Sequence, residues 1–515
     1  MQEGAGSCLV SAEPDAGLAP FSATCLLWIA KEPDPLIPHN GQTLIPLLML
    51  MAAIPAFSQV PPVSPDRPWH SPDEQPIAND ARKVRQPGFR IDAAKVYSLA
   101  ELIDLSEAHN PATRVAWENA LAQADSLGIA RSELYPALSS IATAGVDRQE
   151  IPLGTRFYRF TIPSFQLSLD LSYTIFDFGA RRGRIDARGA QLLAANFAFN
   201  DVHRRLIYQV EQAYYRLLNA SSQETAARAS LANAQAVQQA AEERLKNGLA
   251  TLPDVLEARS STAQSQYDLQ AVLGVEEIAR GDLATSLGTT ATAMIRVQPL
   301  GEVPTPEAIG ESVNQAIDRA LSERPDLQAE LADIREANAQ HKEARAAFYP
   351  TLGLQASPAV QSLFFQQQNL PWGHTSDLTG GVRLSLKWTV FDGGARKNRL
   401  AQSESQIRQA EAQAAKSRDD IEDEVWTAYS NLNTAFRQRE AATALLTAAS
   451  QSYDAALESY GYGVRNLLDV TAAQKVLAQA RSSDILARTQ ILAALSDLAF
   501  RVGDSIQEGA RKSGP

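Results

Sequence analysis

The chain has 515 residues, with 47 Lys+Arg against 59 Asp+Glu and a formal net charge of −12 at pH 7. That balance disfavours a nucleic-acid binder, which needs a basic face. A composition 45% hydrophobic and 21% charged is that of a folded chain rather than a disordered one.

Two cysteines, Cys8 and Cys25, lie near the N-terminus, so the body has no disulfide framework and no cysteine-built metal site. The six histidines are scattered singly. No P-loop, dinucleotide fingerprint, nucleophile elbow or metal cluster occurs, so neither a cofactor nor an enzyme activity is expected. No apolar run reaches the roughly 18–20 residues of a membrane-spanning helix. A transmembrane β-barrel, whose sequence signal is weak, stays open.

In chain order, residues 1–58 read as an upstream extension ending in a signal peptide. Leu44 to Ile54 is a short apolar run, and Ala56-Phe57-Ser58 follows as a small-x-small triplet. This places a cut near Ser58–Gln59. A basic segment directly before the run is missing, since Lys31 lies well upstream, and residues 1–39 are read as the product of an overlong start. A short buried helix is the alternative. Residues 59–97 carry Pro61, Pro62, Pro65, Pro68, Pro72, Pro76 and Pro87, which favour an extended surface segment.

The rest is organised by an internal repeat. Tyr135-Pro136 recurs at Tyr349-Pro350. Phe176-Asp177-x-Gly179-Ala180-Arg181 recurs at Phe391-Asp392-x-Gly394-Ala395-Arg396. Val210-x-x-Ala213-Tyr214 returns at Val425-x-x-Ala428-Tyr429, and Asp254-Val255 at Asp469-Val470. The spacing is near-constant at roughly 215 residues, far longer than a solenoid period, which indicates a duplicated domain. The halves run 98–290 and 308–505, with a linker at 291–307 and a tail at 506–515.

Each half reads as helix, two strands, helix, helix. Leu99 to Leu134 is helical, breaks at Pro111 and stops at Pro136. Phe165 to Ile175 alternates apolar and polar residues as a period-2 strand, as does Val382 to Val390. Their partners are read at Leu138 to Val146 and Leu352 to Ala356. From Ala180 to Lys246 no proline intervenes, and the two glycines fall in the first turns. At 1.5 Å per residue this helix spans roughly 100 Å. Phe199, Leu206, Val210, Ala213 and Leu217 keep a coiled-coil rhythm. Asn247-Gly248 reverses the chain, and a helix returns to about Leu287. The second half repeats this from Ala395 to Tyr460, turning at Gly461-Tyr462-Gly463.

The polar faces of the two clear strands carry Asp170, Arg383 and Lys387. Such a strand suits lipid on one side and water on the other, or a small soluble sheet packed on helices. Four strands cannot close a barrel, for which about eight are the minimum, and lipid tolerates no open edges. Copies of the chain must then complete it, two giving eight strands and three giving twelve.

These duplicated motifs resemble those of the TolC-type outer-membrane efflux proteins of Gram-negative bacteria, over about residues 98–505. The resemblance implies an α+β membrane protein and a homotrimer. Four strands per chain would enter one shared twelve-stranded barrel in outer-membrane lipid, above a long periplasmic α-helical coiled-coil barrel. It also implies a gated exit duct for efflux or type I secretion, which docks a periplasmic adaptor and an inner-membrane pump. Tyr460, Arg465 and Asp469 match a gating tyrosine, a gating arginine and a ring aspartate, and Asp254 matches the aspartate that pairs with the tyrosine. A second ring acid is replaced by Ala472, and Pro253 holds the position facing Arg465. On the residues alone, Asp254 and Asp469 read first as helix caps, a role compatible with gating.

Arg244, Leu245, Gly248, Leu249 and Leu252, with Gly463, Leu467 and Leu468, are the expected adaptor-docking tips; ordinary turn chemistry and coiled-coil core are the alternative. Phe176, Asp177, Gly179, Phe391, Asp392 and Gly394 form the strand-to-helix turns, with the two phenylalanines read as packing where strand meets helix. Tyr173 and Trp388 suit an interfacial girdle. Leu363-Phe364-Phe365 to Trp372 is read as an extracellular loop. Many family members are lipidated after the signal; here the mature chain begins at Gln59, so no lipid anchor is expected. The rival function is a structural periplasmic coiled-coil or adaptor protein without a pore, which would lack the amphipathic strand pairs.

Overall fold

The computed structural model describes residues 79–80, 91–299, 301, 312–367 and 370–504. The chain divides into two units, Met1–Val84 and Arg85–Pro515. In the first, the described residues are the helical pair 79–80. The expected signal peptide, most of the proline-rich segment and the tail 506–515 lie outside the described residues.

A short strand β1 (Val96–Tyr97) pairs in parallel with β4 (Arg296–Val297) and brackets the first half. Helix α1 (Leu99–His109) starts on a capping box, in which Ser98 accepts from the Glu101 amide and Glu101 accepts from the Ser98 amide. Asn110 ends α1 and caps α2 (Pro111–Ser132), its side chain accepting from the Ala112 amide while Pro111 takes the first turn. Strands β2 (Ala137–Leu153) and β3 (Arg156–Phe176) form one antiparallel hairpin around Gly154-Thr155. Helices α3 (Ala180–Lys246) and α4 (Leu252–Ser286) complete the half.

The second half runs α5 (Val313–Glu323), α6 (Pro325–Ala346), β5 (Thr351–Ala356), β6 (Ala359–Gln367), β7 (Gly373–Thr379), β8 (Val382–Lys387), α7 (Ala395–Gly461) and α8 (Leu467–Val502). Helices α3 and α7 are both 67 residues long. A helix of that length is stabilised by packing along its flank rather than by propensity. Helix α3 lies along α4, α6 and α8, and α7 along α6 and α8. The buried positions are dominated by alanine and small aliphatics, such as Ala213, Ala234 and Ala241 on α3 and Ala428, Ala435 and Ala456 on α7. Small side chains let helix axes approach closely. The extreme case is Gly183, where an added Cβ would lie 2.9 Å from the Glu343 backbone nitrogen of α6.

The second half departs from the expected plan at three points. The second half has four short strands, not two. Ser357-Pro358 interrupts the first pair and Gly380-Gly381 the second, because proline cannot donate to a ladder. The breaks are stitched by Leu169 N–H donating to Pro358 O (2.9 Å) and Ser357 N–H to Gly381 O (3.0 Å). Leu363-Phe364-Phe365 therefore lies in β6 and not in a loop. The strand ending β8 stops at Lys387, short of Val390.

The sheet is four strands wide: β2, β3, β5 with β6, and β8 with β7. Register puts Leu138, Leu167, Leu169, Leu171, Leu354, Val360, Leu378, Val382, Leu384 and Leu386 on one face. Gln166, Ser168, Asp170, Ser172, Gln355, Gln361, Asp377 and Arg383 share the other, with Ile141, Ile151, Phe160, Ile162, Leu363 and Phe365 among its apolar exceptions. The apolar face is open: Leu138, Leu167, Leu169, Val382, Leu384 and Leu386 are all exposed. Among the described residues β2 pairs only with β3, and the outer edges of β7 and β8 are unpaired.

Candidate functional site at the hairpin tips and the sheet

Strand becomes helix at two matching turns. Asp177 accepts from the Gly179 amide (3.2 Å), the Arg181 amide (2.9 Å) and Arg181 Nε (2.8 Å). Asp392 does the same with Gly394 (3.1 Å), the Arg396 amide (3.0 Å) and Arg396 Nε (2.8 Å). The glycines cap at φ 93° and 88°, in the left-handed region that side chains avoid. Phe176 packs edge-on against Phe178, with centroids 4.7 Å apart. Phe391 does not pack as expected; it is 85% exposed.

Each long hairpin ends in a glycine turn. At the first tip Gly248 N–H donates to Leu245 O (3.0 Å) and Leu249 N–H to Arg244 O (2.8 Å). At the second, Gly463 N–H donates to Tyr460 O and Val464 N–H to Ser459 O, both 3.0 Å. The restart of the helices differs. Asp254 Oδ2 accepts from both the amide and the hydroxyl of Thr251, at 2.8 and 2.7 Å, closing a capping box. These bonds hold its carboxyl below the usual carboxylate range. In the second tip the cap is Asn466, which accepts from the Asp469 amide at 2.9 Å. The side chains of Arg465 and Asp469 are exposed and have no partner among the described residues.

Tyr460 does not pair with Asp254. It is 6% exposed, and its hydroxyl has no hydrogen-bond partner among the described residues. Burial raises its pKa, and the neighbouring Arg244 pulls the other way. Arg244 crosses from α3 to lie 4.8 Å from the Tyr460 ring centroid. Its Nη1 donates to Tyr460 O (2.8 Å) and Gly461 O (3.1 Å). The tip core beneath joins Val237, Ala241, Val255 and Ala258 of the first hairpin to Tyr453, Ala456, Leu467 and Val470 of the second. Leu467, at 1% exposed, and the half-buried Leu245 thus belong to that core, whereas Leu249, Leu252 and Leu468 are exposed. Gly248 and Gly463 lie at the open turns.

A second polar cluster sits where α3, the α5–α6 junction, α7 and α8 meet. Arg204 donates to Asp201 (2.6 Å) and Phe500 O (2.7 Å) and lies 3.4 Å from Asp326. Arg324 donates to Asp326 (2.6 Å) and Glu424 (2.7 Å), and Arg501 reaches Glu424 (3.0 Å). Tyr208 donates to Asp497 (2.9 Å), and burial with this acceptor pushes its pKa to about 12.

A family model described as outer membrane efflux protein matches residues 102–289 and 316–504, one match in each half. The chain belongs to the outer membrane efflux protein family. Protein CyaE of Bordetella pertussis is 28% identical to it, over 82% of this chain and 87% of the relative. Outer membrane protein OprJ of Pseudomonas aeruginosa is 26% identical, over 82% and 86%. The solved outer-membrane channel OprN shares the fold, with TM-score 0.70 and 21% identity over 81% of this chain and 97% of that one. As an outer membrane efflux protein, this one resides in the bacterial outer membrane, with its helical part in the periplasm. The family consists of channels rather than enzymes.

Sequence reasoning located both tips and both strand-to-helix turns in this outer membrane efflux protein. It missed the Arg244–Tyr460 contact and the polar cluster. Arg244 stood near the recognised Gly248 turn, but nothing local named the distant acceptors of Arg244 or Arg324.

Proposed function

We propose that the protein is the outer-membrane exit channel of a tripartite efflux or type I secretion system. It acts as a passive duct, opened at its periplasmic tips when a periplasmic adaptor and inner-membrane pump dock. The observation that carries this reading is the sheet: one apolar face, one polar face and two unpaired edges. Lipid tolerates such a sheet only when closed. Three duplicated chains, each contributing four strand widths, would close a twelve-stranded barrel with the apolar face to lipid and Asp170, Asp377 and Arg383 to water. The long hairpins then form the coiled-coil barrel below it.

At the tips, three exposed Asp469 carboxylates around the axis would form a ring that favours cations. Arg465, Tyr460 and Asp254 lie in the same two turns. Exposed Leu249, Leu252 and Leu468 offer apolar contacts to the adaptor. The relatives carry names consistent with such export, among them the alkaline protease secretion protein AprF and the cation efflux system protein CusC.

The test uses two neighbours on β3 that face opposite ways. Leu167→Arg places a charge on the lipid side and should cost about 2–4 kcal/mol near the bilayer midplane. It should abolish recovery of a crosslinked trimer from outer membranes, while Gln166→Arg should leave the trimer in place. Equal tolerance of both substitutions, or a chain soluble without detergent, defeats the reading.

A further inference from the structure

We infer that Arg244 is the residue that holds the two hairpin tips together and so sets the aperture of the channel mouth. The inference rests on the channel reading above and names a positioning residue within it.

Three observations carry it. The tip core joining the hairpins is made largely of alanine, valine and leucine, a contact that resists separation but sets no unique spacing. Among the described residues, the hydrogen bonds from Arg244 to Tyr460 O (2.8 Å) and Gly461 O (3.1 Å) are the polar links that cross from the first tip to the second. They use a charged donor on carbonyls at the C-terminal end of α7, where the helix dipole is negative, and such bonds are stronger than neutral ones. The guanidinium also covers the Tyr460 ring, adding a cation–π contact.

The tyrosine contributes its ring and its backbone carbonyl. Its hydroxyl is buried and unpaired, and the Asp254 carboxylate is committed to Thr251. The acceptors are therefore main-chain oxygens, which no side-chain substitution removes and no physiological pH neutralises. Splaying the second hairpin from the first has to draw Arg244 off the end of α7. Arg465 and Asp469, exposed at the same turns, impose no such link within the chain.

The experiment compares wild type, Arg244→Ala, Arg244→Lys and Tyr460→Phe as purified full-length protein. One readout is conductance in planar bilayers. The second is the rate of tryptic nicking after the exposed Lys246 and Arg465 in detergent. Arg244→Ala should raise the open-tip population roughly tenfold, the worth of a lost charge-assisted hydrogen bond, seen as higher mean conductance and faster nicking. Arg244→Lys should fall between Ala and wild type, because an ammonium can donate but cannot lie flat on the ring. Tyr460→Phe should match wild type in both readouts.

Wild-type behaviour of Arg244→Ala overturns the inference, as does opening by Tyr460→Phe equal to that of Arg244→Ala. If Arg244→Ala weakens the trimer on heating in detergent, the Arg244→Lys and Tyr460→Phe pair decides: faster nicking in the first alone supports the link, and any other pattern refutes it. A wild-type protein that conducts nothing defeats the channel reading, while the nicking rates still judge Arg244.

Discussion

Arg204 offers the sharpest test of how the helical unit is held together. Its side chain is 1% exposed and bonds to Asp201 and the Phe500 carbonyl, with Asp326 at 3.4 Å and the Phe500 ring centroid at 4.3 Å. Arg204→Met keeps an apolar stem and removes the charge. Asp201 and Asp326 are then left with less compensation. Removing one partner of a buried pair costs about 3–5 kcal/mol. Asp201 retains Arg205 at 2.5 Å and Asp326 retains Arg324 at 2.6 Å, so the lower end, about 3 kcal/mol, applies. An unfolding entropy near 2.1 cal/mol/K per residue gives roughly 0.9 kcal/mol/K for this unit, so Tm should fall by about 3 °C. Calorimetry in detergent at several scan rates measures this, because unfolding of such a protein is apt to be irreversible. Adding Asp326→Asn should recover part of the loss, since one unpaired carboxylate is gone. A Tm within about 1 °C of wild type, or strictly additive losses in the double variant, would refute the view of this cluster as one coupled unit.

Two further outcomes are expected. Burial pushes Asp326 and Glu424 up, but the Arg324 hydrogen bonds and charge outweigh it and hold both carboxyls below their ordinary value. Their stabilisation is therefore present above the unfolded-state pKa of about 4 and lost as pH falls through the lower folded value. Asp333 and Glu336, raised by burial, act in the opposite sense and recover stability on protonation. Thermal scans between about pH 3 and 7 should show a loss below about pH 4 that Asp326→Asn flattens; an unchanged acid limb in that variant contradicts the assignment. Gly183→Ala should destabilise by about 1–3 kcal/mol through overpacking, because the new Cβ meets main-chain atoms of α6 at 2.9–3.1 Å. The same change at Gly189, where nothing lies within 4 Å, should be neutral or slightly stabilising on a thermal melt.

Helix boundaries proved readable because their causes are local. Gly179 and Gly394 admit the left-handed turn before α3 and α7, and Asn247-Gly248 ends the first of them, so 67 residues could be bounded at both ends from sequence. Period-2 alternation likewise marked β3 and β8. The interruption at Ser357-Pro358 carried a proline signal, yet its effect depended on the Gly380-Gly381 pair brought beside it by the hairpin. Capping by Asp254 was legible as one of two roles, since Thr251 is three residues away.

Amino-acid order by itself thus determined the long helices, the two faces of β3 and β8 and the position of both tips, because each depends on spacing within a few residues. Only the tertiary structure decided what those parts hold on to. Arg244 finds its carbonyls on another hairpin, Arg204 finds Phe500 on the last helix, and the Tyr460 hydroxyl finds nothing. Partners hundreds of residues apart are chosen by how long helices pack side by side, and a side chain's type states what it can bond but not which distant atom will stand within reach.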